Sequence, residues 1–203
     1  MFFSFDGIDG VGKSTQIGLF CDWLAERGLR VATCRDPGST PVGERVRDLV
    51  LTCDPTTPID RRSEMLLYMA ARAQLVEEVI RPALDRGDVV VSDRYVLANI
   101  VYQGHAGGLD VEQIRAVGEV TTAGVCPDAV FLLDMPVELA DLRLTGERDR
   151  MEQQGDGFRR KLRDGFLAEA RRDPQSIHVV DASQSIEVVQ AAIRSAATPL
   201  LDA

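Results

Sequence analysis

The chain has little of several things, and each shortage closes off a class of protein. No apolar run in its 203 residues approaches the length of a membrane span, which in a helix takes roughly 20 residues. The sequence runs from its first residue straight into a strand-like pattern, so no secretory leader is expected. There are only four cysteines (Cys21, Cys34, Cys53, Cys126) with no Cys-x-x-Cys spacing, and two distant histidines. Reduced cytosolic thiols and no structural zinc follow from that usage. Internal repeats, linkers and low-complexity tracts are missing too. Lysine is nearly absent, with Lys13 and Lys161 set against 21 arginines, and the net charge is −9. So acidic a chain is a poor general binder of nucleic acid. Its arginines belong where discrete anions bind, if they bind anions at all. The length suits one domain with a sizeable core, residues 1–203.

What is present is organised around Gly7-Ile8-Asp9-Gly10-Val11-Gly12-Lys13-Ser14. It fits G-x-x-x-x-G-K-[ST], the phosphate-cradling loop of P-loop proteins. Phe2-Phe3-Ser4-Phe5 before it reads as a buried strand, and Thr15 to Arg27 after it as a helix with Ile17, Phe20, Trp23 and Leu24 on its apolar side. Glycines let the backbone curl so that its N–H groups point at one oxyanion, and the helix N-terminus adds partial positive charge. Lys13 is placed to reach the β- and γ-phosphates of a nucleotide, and the Ser14 hydroxyl to sit on Mg²⁺. The bland alternative is a glycine-rich surface turn.

Further along, Leu29 to Cys34 reads as a second strand, with Arg35 to Thr40 at its carboxyl end, where open α/β sheets bind ligands. A helix is expected over Val42 to Leu51. A long one is expected over Asp60 to Arg86, bent at Pro82, with Leu66, Met69, Ala73, Val76 and Ile80 as its core stripe. Tyr68 and Arg72, four apart, share a face; an exposed aromatic–arginine pair is the plain alternative. Val89 to Ser92 is a third strand, and Asp93 at its end is placed to hold a Mg²⁺-bound water opposite Ser14; helix capping is the other reading of this aspartate. Val96 to Tyr102 reads as helix, Gln103 to Gly108 as a flexible turn, Asp110 as the cap of a helix through Ala123, and Ala129 to Leu133 as the fourth strand. A helix from Leu139 dissolves near Leu144 into a charged, glycine-spaced stretch over about 145–157, either a lid or an idle loop. Phe158 to Arg172 returns to helix, Ser176 to Val180 is a fifth strand, and Ile186 to Ala197 a closing helix. Five parallel strands alternating with helices predict a three-layer α/β P-loop NTPase fold.

Taken in order, these motifs resemble the bacterial thymidylate kinases. The family reads glycine-rich loop, Arg-Glu-Pro-Gly-Gly-Thr, Gly-Glu-x-x-Arg, Ala-x-Arg, Asp-Arg-Tyr, Tyr-Gln-Gly, Pro-Asp and Asp-Arg-x-Glu. This chain has Gly7 to Ser14, Arg35 to Thr40, Gly43 to Arg47, Ala70-Ala71-Arg72, Asp93-Arg94-Tyr95, Tyr102-Gln103-Gly104, Pro127-Asp128 and Asp149-Arg150-Met151-Glu152. The resemblance implies transfer of the ATP γ-phosphoryl to thymidine monophosphate (dTMP), with ATP and Mg²⁺, in the cytoplasm and as a homodimer. It implies that Gly7, Asp9, Gly10, Val11, Gly12, Lys13, Ser14 and Thr15 hold the phosphates of ATP, with Ala182 and Gln184 near adenine. Arg47 and Arg94 would hold the acceptor phosphate, and Arg35, Pro37 and Tyr102 would also belong to the dTMP site. Tyr68 would stack on thymine, Arg72 and Gln103 would hydrogen-bond it with Asn99 close by, and Asp9 would meet the sugar 3′-hydroxyl. Arg143, Arg148 and Arg150 would bring charge from the lid, joining Lys13 and Arg94 in catalysis. Three positions depart from the family pattern: Asp6 and Asp36 stand where it usually has Glu, and Ser39 where it has Gly. Rival readings are another nucleoside monophosphate kinase, for instance one acting on a purine nucleotide, and a P-loop switch protein with slow hydrolysis.

Overall fold

A computed structural model describes residues 1–52, 58–144 and 156–202. Five strands, β1 (Phe2–Asp6), β2 (Val31–Arg35), β3 (Val89–Asp93), β4 (Ala129–Asp134) and β5 (Ile177–Asp181), form one sheet in the order β2-β3-β1-β4-β5. Every pairing is parallel. β1 lies in the middle, and all five of its residues are buried. That is why its sequence is a nearly continuous apolar run rather than an alternating one. Phe3 and Phe5 face one side, where they meet Phe20 and Phe131 at centroid separations of 5.2–5.7 Å. Phe2 faces the other and packs edge-on against Tyr95. The sheet is thus cored on both faces, as the α/β expectation requires.

The helices are α1 (Lys13–Glu26), α2 (Pro41–Leu51), α3 (Arg61–Leu75), α4 (Arg81–Asp85), α5 (Val96–Asn99), α6 (Val111–Thr122), α7 (Val137–Asp141), α8 (Asp156–Arg172) and α9 (Ile186–Leu201). Several begin on caps legible in the sequence. Thr40 Oγ1 accepts from Gly43 N with Pro41 at the first position, Asp60 accepts from Arg62 N, and Asp110 accepts from Glu112 N and Gln113 N. α1 starts two residues earlier than expected, because Gly12 takes a left-handed φ of 92° that turns the loop directly into the helix. β2 lies one to two residues later than the apolar run suggested.

Two expectations change more. The long helix is interrupted by a π-helical turn at Val76–Ile80 before α4. Pro82 has no N–H to give and its ring would strike the carbonyl four residues back, so the turn ahead of it widens. Its core stripe also shifts: Met69, Val76 and Ile80 are buried, but Leu66 is 48% exposed and Ala73 half-buried. The inward face also carries Glu64, Tyr68 and Arg72, polar groups that a hydrophobic period cannot register. The stretch read as a flexible turn, Gln103 to Gly108, is largely helical: α5 continues into a second π-helical segment, Ile100–Ala106, with Gln103 and Gly104 buried. Gly104 serves close packing here, since a Cβ would sit 2.9 Å from Val111 Cγ2 on α6.

The consequence for function is geometric. Parallel strands joined by helices bring every strand's carboxyl end to one edge. There β1, β3, β4 and β5 end in Asp6, Asp93, Asp134 and Asp181, and β2 in Arg35. β1 is where the strand order turns back on itself, the place such sheets open a ligand crevice.

Candidate active site

The loop between β1 and α1 rims a cavity of about 880 Å³. Asp9, Gly10, Val11, Gly12, Lys13, Ser14 and Thr15 line it, with Arg35, Arg47, Asp93, Arg94, Arg143, Ala182 and Gln184. Gly7 lies beneath, and its carbonyl accepts from Lys13 Nζ and Arg94 Nη1, each at 3.1 Å. The loop is wedged tightly in place: a Cβ on Gly7 would fall 2.4 Å from the Leu133 carbonyl oxygen, and one on Gly10 2.3 Å from that of Ala140. At the far side Arg143 Nη1 donates to Ala182 O at 3.2 Å, and Gln184 Nε2 to Asp181 Oδ2 at 2.8 Å.

A cluster of charge sits under the loop. Arg94 Nη2 donates to Asp9 Oδ1 at 2.5 Å and to Tyr102 Oη at 3.1 Å, while Tyr102 Oη donates to Asp9 Oδ2 at 3.2 Å. Lys13 Nζ lies 3.4 Å from the same aspartate. Burial pushes the Asp9 carboxyl up, but Arg94 and then Lys13 outweigh it and hold the group well below the usual carboxylate range. Burial is also the main influence on Lys13, and with Arg94 nearby its pKa is lowered. Arg94 takes a left-handed φ of 69° at the end of β3, a conformation costing a non-glycine residue of order 1–3 kcal/mol. The strain aims its guanidinium across the sheet edge at Asp9. Asp6 is fully buried and neither of its carboxylate oxygens has a hydrogen-bond partner. Burial pushes it up to about 7, against the pull of Arg94 and Lys13. The family's usual glutamate would reach one carbon further.

A smaller cavity, of about 110 Å³, opens beside the first. Tyr68, Arg72, Ala98, Asn99, Tyr102, Gln103, Pro37 and Leu51 line it. Tyr68 and Arg72 are not an exposed pair: they are 8% and 1% exposed. Arg72 Nε donates to Asp36 Oδ2 at 2.5 Å, and Nη2 to Asn99 Oδ1 at 2.5 Å and Tyr95 O at 3.3 Å. Among the described residues its Nη1 is bonded to the Met69 sulfur at 3.0 Å, a weak acceptor. Asn99 Nδ2 donates to Gln103 Oε1 at 2.8 Å, and Gln103 Nε2 to Glu64 Oε1 at 2.9 Å. The shorter Asp36 therefore meets Arg72 through Oδ2 alone, and its Oδ1 is buried without a hydrogen-bond partner. Ser39 also has an account: it adopts a left-handed φ of 62°, where glycine is the easier residue, and its hydroxyl and amide tie the loop to Arg35 N and Glu44 Oε1.

Asp9, Asp36, Arg47 and Arg94 line both cavities. Arg47 Nη1 donates to Pro37 O at 3.1 Å, and Arg35 Nη2 to Glu44 Oε2 at 2.7 Å. Asp93 does not cap α5, whose cap residue is Tyr95 with no side-chain bond. Its Oδ1 is buried without a partner in the wall of the larger cavity. An orphaned carboxylate oxygen with the Ser14 hydroxyl in the same cavity is an oxygen donor set that suits Mg²⁺. Among the described residues no group of three or more His, Cys, Asp and Glu could hold a metal by itself, as fits an ion that shares its ligands with phosphates and water. Arg148 and Arg150 lie outside the described residues, whereas Asp156 and Gly157, expected in the lid, begin α8.

The sequence reading missed Arg159. It is 2% exposed, donates from Nη2 to the Asp9 carbonyl at 2.8 Å and lies 3.0 Å from Asp141 Oδ1, so it braces the phosphate loop from α8. The signal was there: Arg159 falls in register with the buried Leu162, Phe166 and Ala170, on a stripe otherwise apolar.

Two cavities that meet at arginines, one rimmed by a phosphate loop and one by a flat polar-walled slot, define a P-loop kinase of nucleoside monophosphates. The sequence model of the thymidylate kinase family matches residues 5–193. The chain is 43% identical over 203 residues to a thymidylate kinase of Chromohalobacter salexigens, covering 98% of this chain and 96% of that one. It is 40% identical to one of Thermosipho melanesiensis over the full length of both. The crystal structure of thymidylate kinase from Ehrlichia chaffeensis superimposes with a TM-score of 0.77 at 29% identity, covering 96% of this chain and 97% of that one. The chain belongs to the thymidylate kinase family.

The charges of the site generate two predictions. Asp6 binds its proton more tightly folded than unfolded, its pKa rising from 3.8 to about 7. The stability this adds is complete below about pH 4 and is lost as pH rises through about 7. Asp6→Asn should therefore flatten the fall in stability between those values, leaving the variant the more stable protein at pH 8. Urea unfolding of both proteins across that range checks it; parallel curves would refute it. Arg72→Ala should strand the Asp36 carboxylate and cost about 3–5 kcal/mol. Adding Asp36→Asn should return part of that loss, and a double variant no more stable than the single would show the pair carries no such energy.

Proposed function

We propose that the two joined cavities divide the reaction of a thymidylate kinase between them. ATP lies with its phosphates on the loop from Gly7 to Thr15 and its adenine toward Ala182 and Gln184. dTMP lies in the slot with thymine against Tyr68. The observation that carries this reading is the shared lining: Asp9, Asp36, Arg47 and Arg94 border both spaces, so the acceptor phosphate and the γ-phosphoryl meet among them. A protein that only bound and slowly hydrolysed a nucleotide would have no use for the second slot.

The chemistry asks little of the protein beyond alignment and spread positive charge. The attacking oxygen of dTMP is already anionic, so no general base is needed. Asp9 is held ionised and serves to fix Arg94 and Lys13, and to accept from the sugar hydroxyl. Arg47 and Arg94 fork onto the acceptor phosphate. Arg72, kept rigid by Asp36 and Asn99, has its Nη1 left for a thymine carbonyl, and Gln103 is positioned through Asn99 and Glu64. Mg²⁺, held by Ser14 and through water by Asp93, would neutralise phosphate charge. Arg159 keeps the loop in shape. Arg143, Arg148 and Arg150 form the arginine-bearing side of a lid that excludes water.

The whole chain acts as one domain on this reading, in the cytoplasm and as a homodimer. Among the described residues no helix is long and apolar enough to cross a membrane. Leu49 of α2 and Leu66 of α3 lie outside the core at 46% and 48% exposure, on two helices that pack together, and a partner copy would cover them.

Two measurements test the reading. ADP release with a panel of monophosphates should be fastest with dTMP and near background with none; an equal rate with a purine monophosphate, or one that needs no acceptor, would overturn it. Arg150→Ala should lower kcat by ~10³ with little change in dTMP affinity, and Arg150→Lys should not restore it fully, since an ammonium lacks the planar fork. A turnover within about twofold of the parent, worth well under 1 kcal/mol, would remove the lid arginine from the mechanism.

A further inference from the structure

The helical stretch from Tyr95 to Gln103 has a cavity on each side. Ala98, Asn99, Tyr102 and Gln103 face the thymine slot. Tyr95, Val96, Leu97 and Ile100 face the other way, into a cavity of about 560 Å³ closed by α6, α8 and the early part of β4 and β5. Its volume is that of a site for a drug-sized molecule. Nothing in the phosphoryl-transfer reaction uses it.

Its chemistry points to a ligand. Ser4 of β1 lines it; the residue is 0% exposed and its Oγ has no hydrogen-bond partner. A buried hydroxyl left unmatched costs roughly 1–3 kcal/mol, and Ser4 is part of the cavity's lining. The two arginines of the rim are already neutralised. Arg115 is bonded to Glu169 and lies 3.4 Å from Glu112, while Arg172 lies 3.6 Å from Glu112 and 4.0 Å from Glu169. Glu119 and Asp173, also in the rim, have no ion pair among the described residues. The lining is thus apolar on its wall, offers a hydroxyl inside and leaves negative charge at its edge.

We propose that this cavity is a second small-molecule site, for a flat aromatic cation that carries a hydrogen-bonding group at its apolar end, and that its occupancy is coupled to the thymine slot. The coupling element is the shared wall. Tyr95 lines the new cavity, its ring lies 5.4 Å from the Arg72 guanidinium, and its carbonyl accepts from Arg72 Nη2. Moving Tyr95 moves the group that Asn99 and the slot depend on. The wall continues into the π-helical segment Ile100–Ala106, a rare geometry that occurs frequently at functional sites.

Calorimetric titration of the full chain with 4′-hydroxybiphenyl-4-carboxamidine tests the proposal, with the deshydroxy amidine and the matching carboxylate as comparators. The hydroxy-amidine should bind one per chain, and the carboxylate should bind about tenfold more weakly or not at all. Ser4→Ala removes a buried hydroxyl that bonds nothing, so its melting temperature should hold or rise while the advantage of the hydroxy-amidine over the deshydroxy compound disappears. Glu119→Gln should weaken both amidines about fivefold, as for an exposed ion pair. Saturating dTMP should change the amidine affinity by the same factor as the amidine changes that of dTMP. No saturable binding, equal binding of amidine and carboxylate, displacement of the amidine by dTMP, or indifference to both substitutions would each overturn the site. Binding that leaves dTMP affinity untouched would overturn the coupling.

Discussion

The pairing of Arg94 with Asp9 is the contact on which the rest of the site depends. It joins the end of β3 to the phosphate loop after β1, the two strands that meet at the centre of the sheet. Arg94 reaches Asp9 only because its backbone is left-handed, and the sheet on one side and α5 on the other hold it so. The same guanidinium bonds the Gly7 carbonyl and the Tyr102 hydroxyl, so one side chain fixes the loop, the wall of the slot and the border between two cavities. Ionised Asp9 in turn restrains Lys13. Charge is concentrated here before any phosphate arrives, which is how a preorganised site avoids reorganising during the transfer.

Around that contact the protein buries polar groups in connected pairs. Arg72 with Asp36 and Asn99, Gln103 with Glu64, and Arg159 with Asp141 and the Asp9 carbonyl are joined in this way, although Asp36 Oδ1 is left without a hydrogen bond. A buried ion pair of this kind is weak evidence for stability, but it fixes the geometry of the donors that line the smaller cavity. Asp6 lacks even one such bond: neither carboxylate oxygen has a hydrogen-bond partner, and burial raises its pKa to about 7 against the pull of the cations beside it.

Much of the fold was legible because strong local chemistry writes it. The apolar runs of β1, β3 and β4, the caps at Thr40, Asp60 and Asp110, and the glycines of the loop all act within a few residues of themselves. What misled was periodicity read without partners. The face of α3 toward the slot is buried although it carries Glu64, Tyr68 and Arg72, because their partners arrive from α5 and from the loop after β2. The glycines from Gly104 to Gly108 looked like a turn, yet Gly104 is there to let α6 approach.

The sequence by itself determined the parallel sheet, the phosphate loop with Lys13 and Ser14, and the identity of the arginines and aromatics that line the two cavities. Those features are local, set by backbone freedom, capping and hydrophobic period. Only the tertiary structure decided that Asp36 closes on Arg72, that Arg159 braces the loop from α8, that Asp6 is left without a partner, and that one helical wall separates two cavities. Each of these rests on residues tens of positions apart in the chain, brought together by strand order and helix packing, and no pattern of short period carries that information.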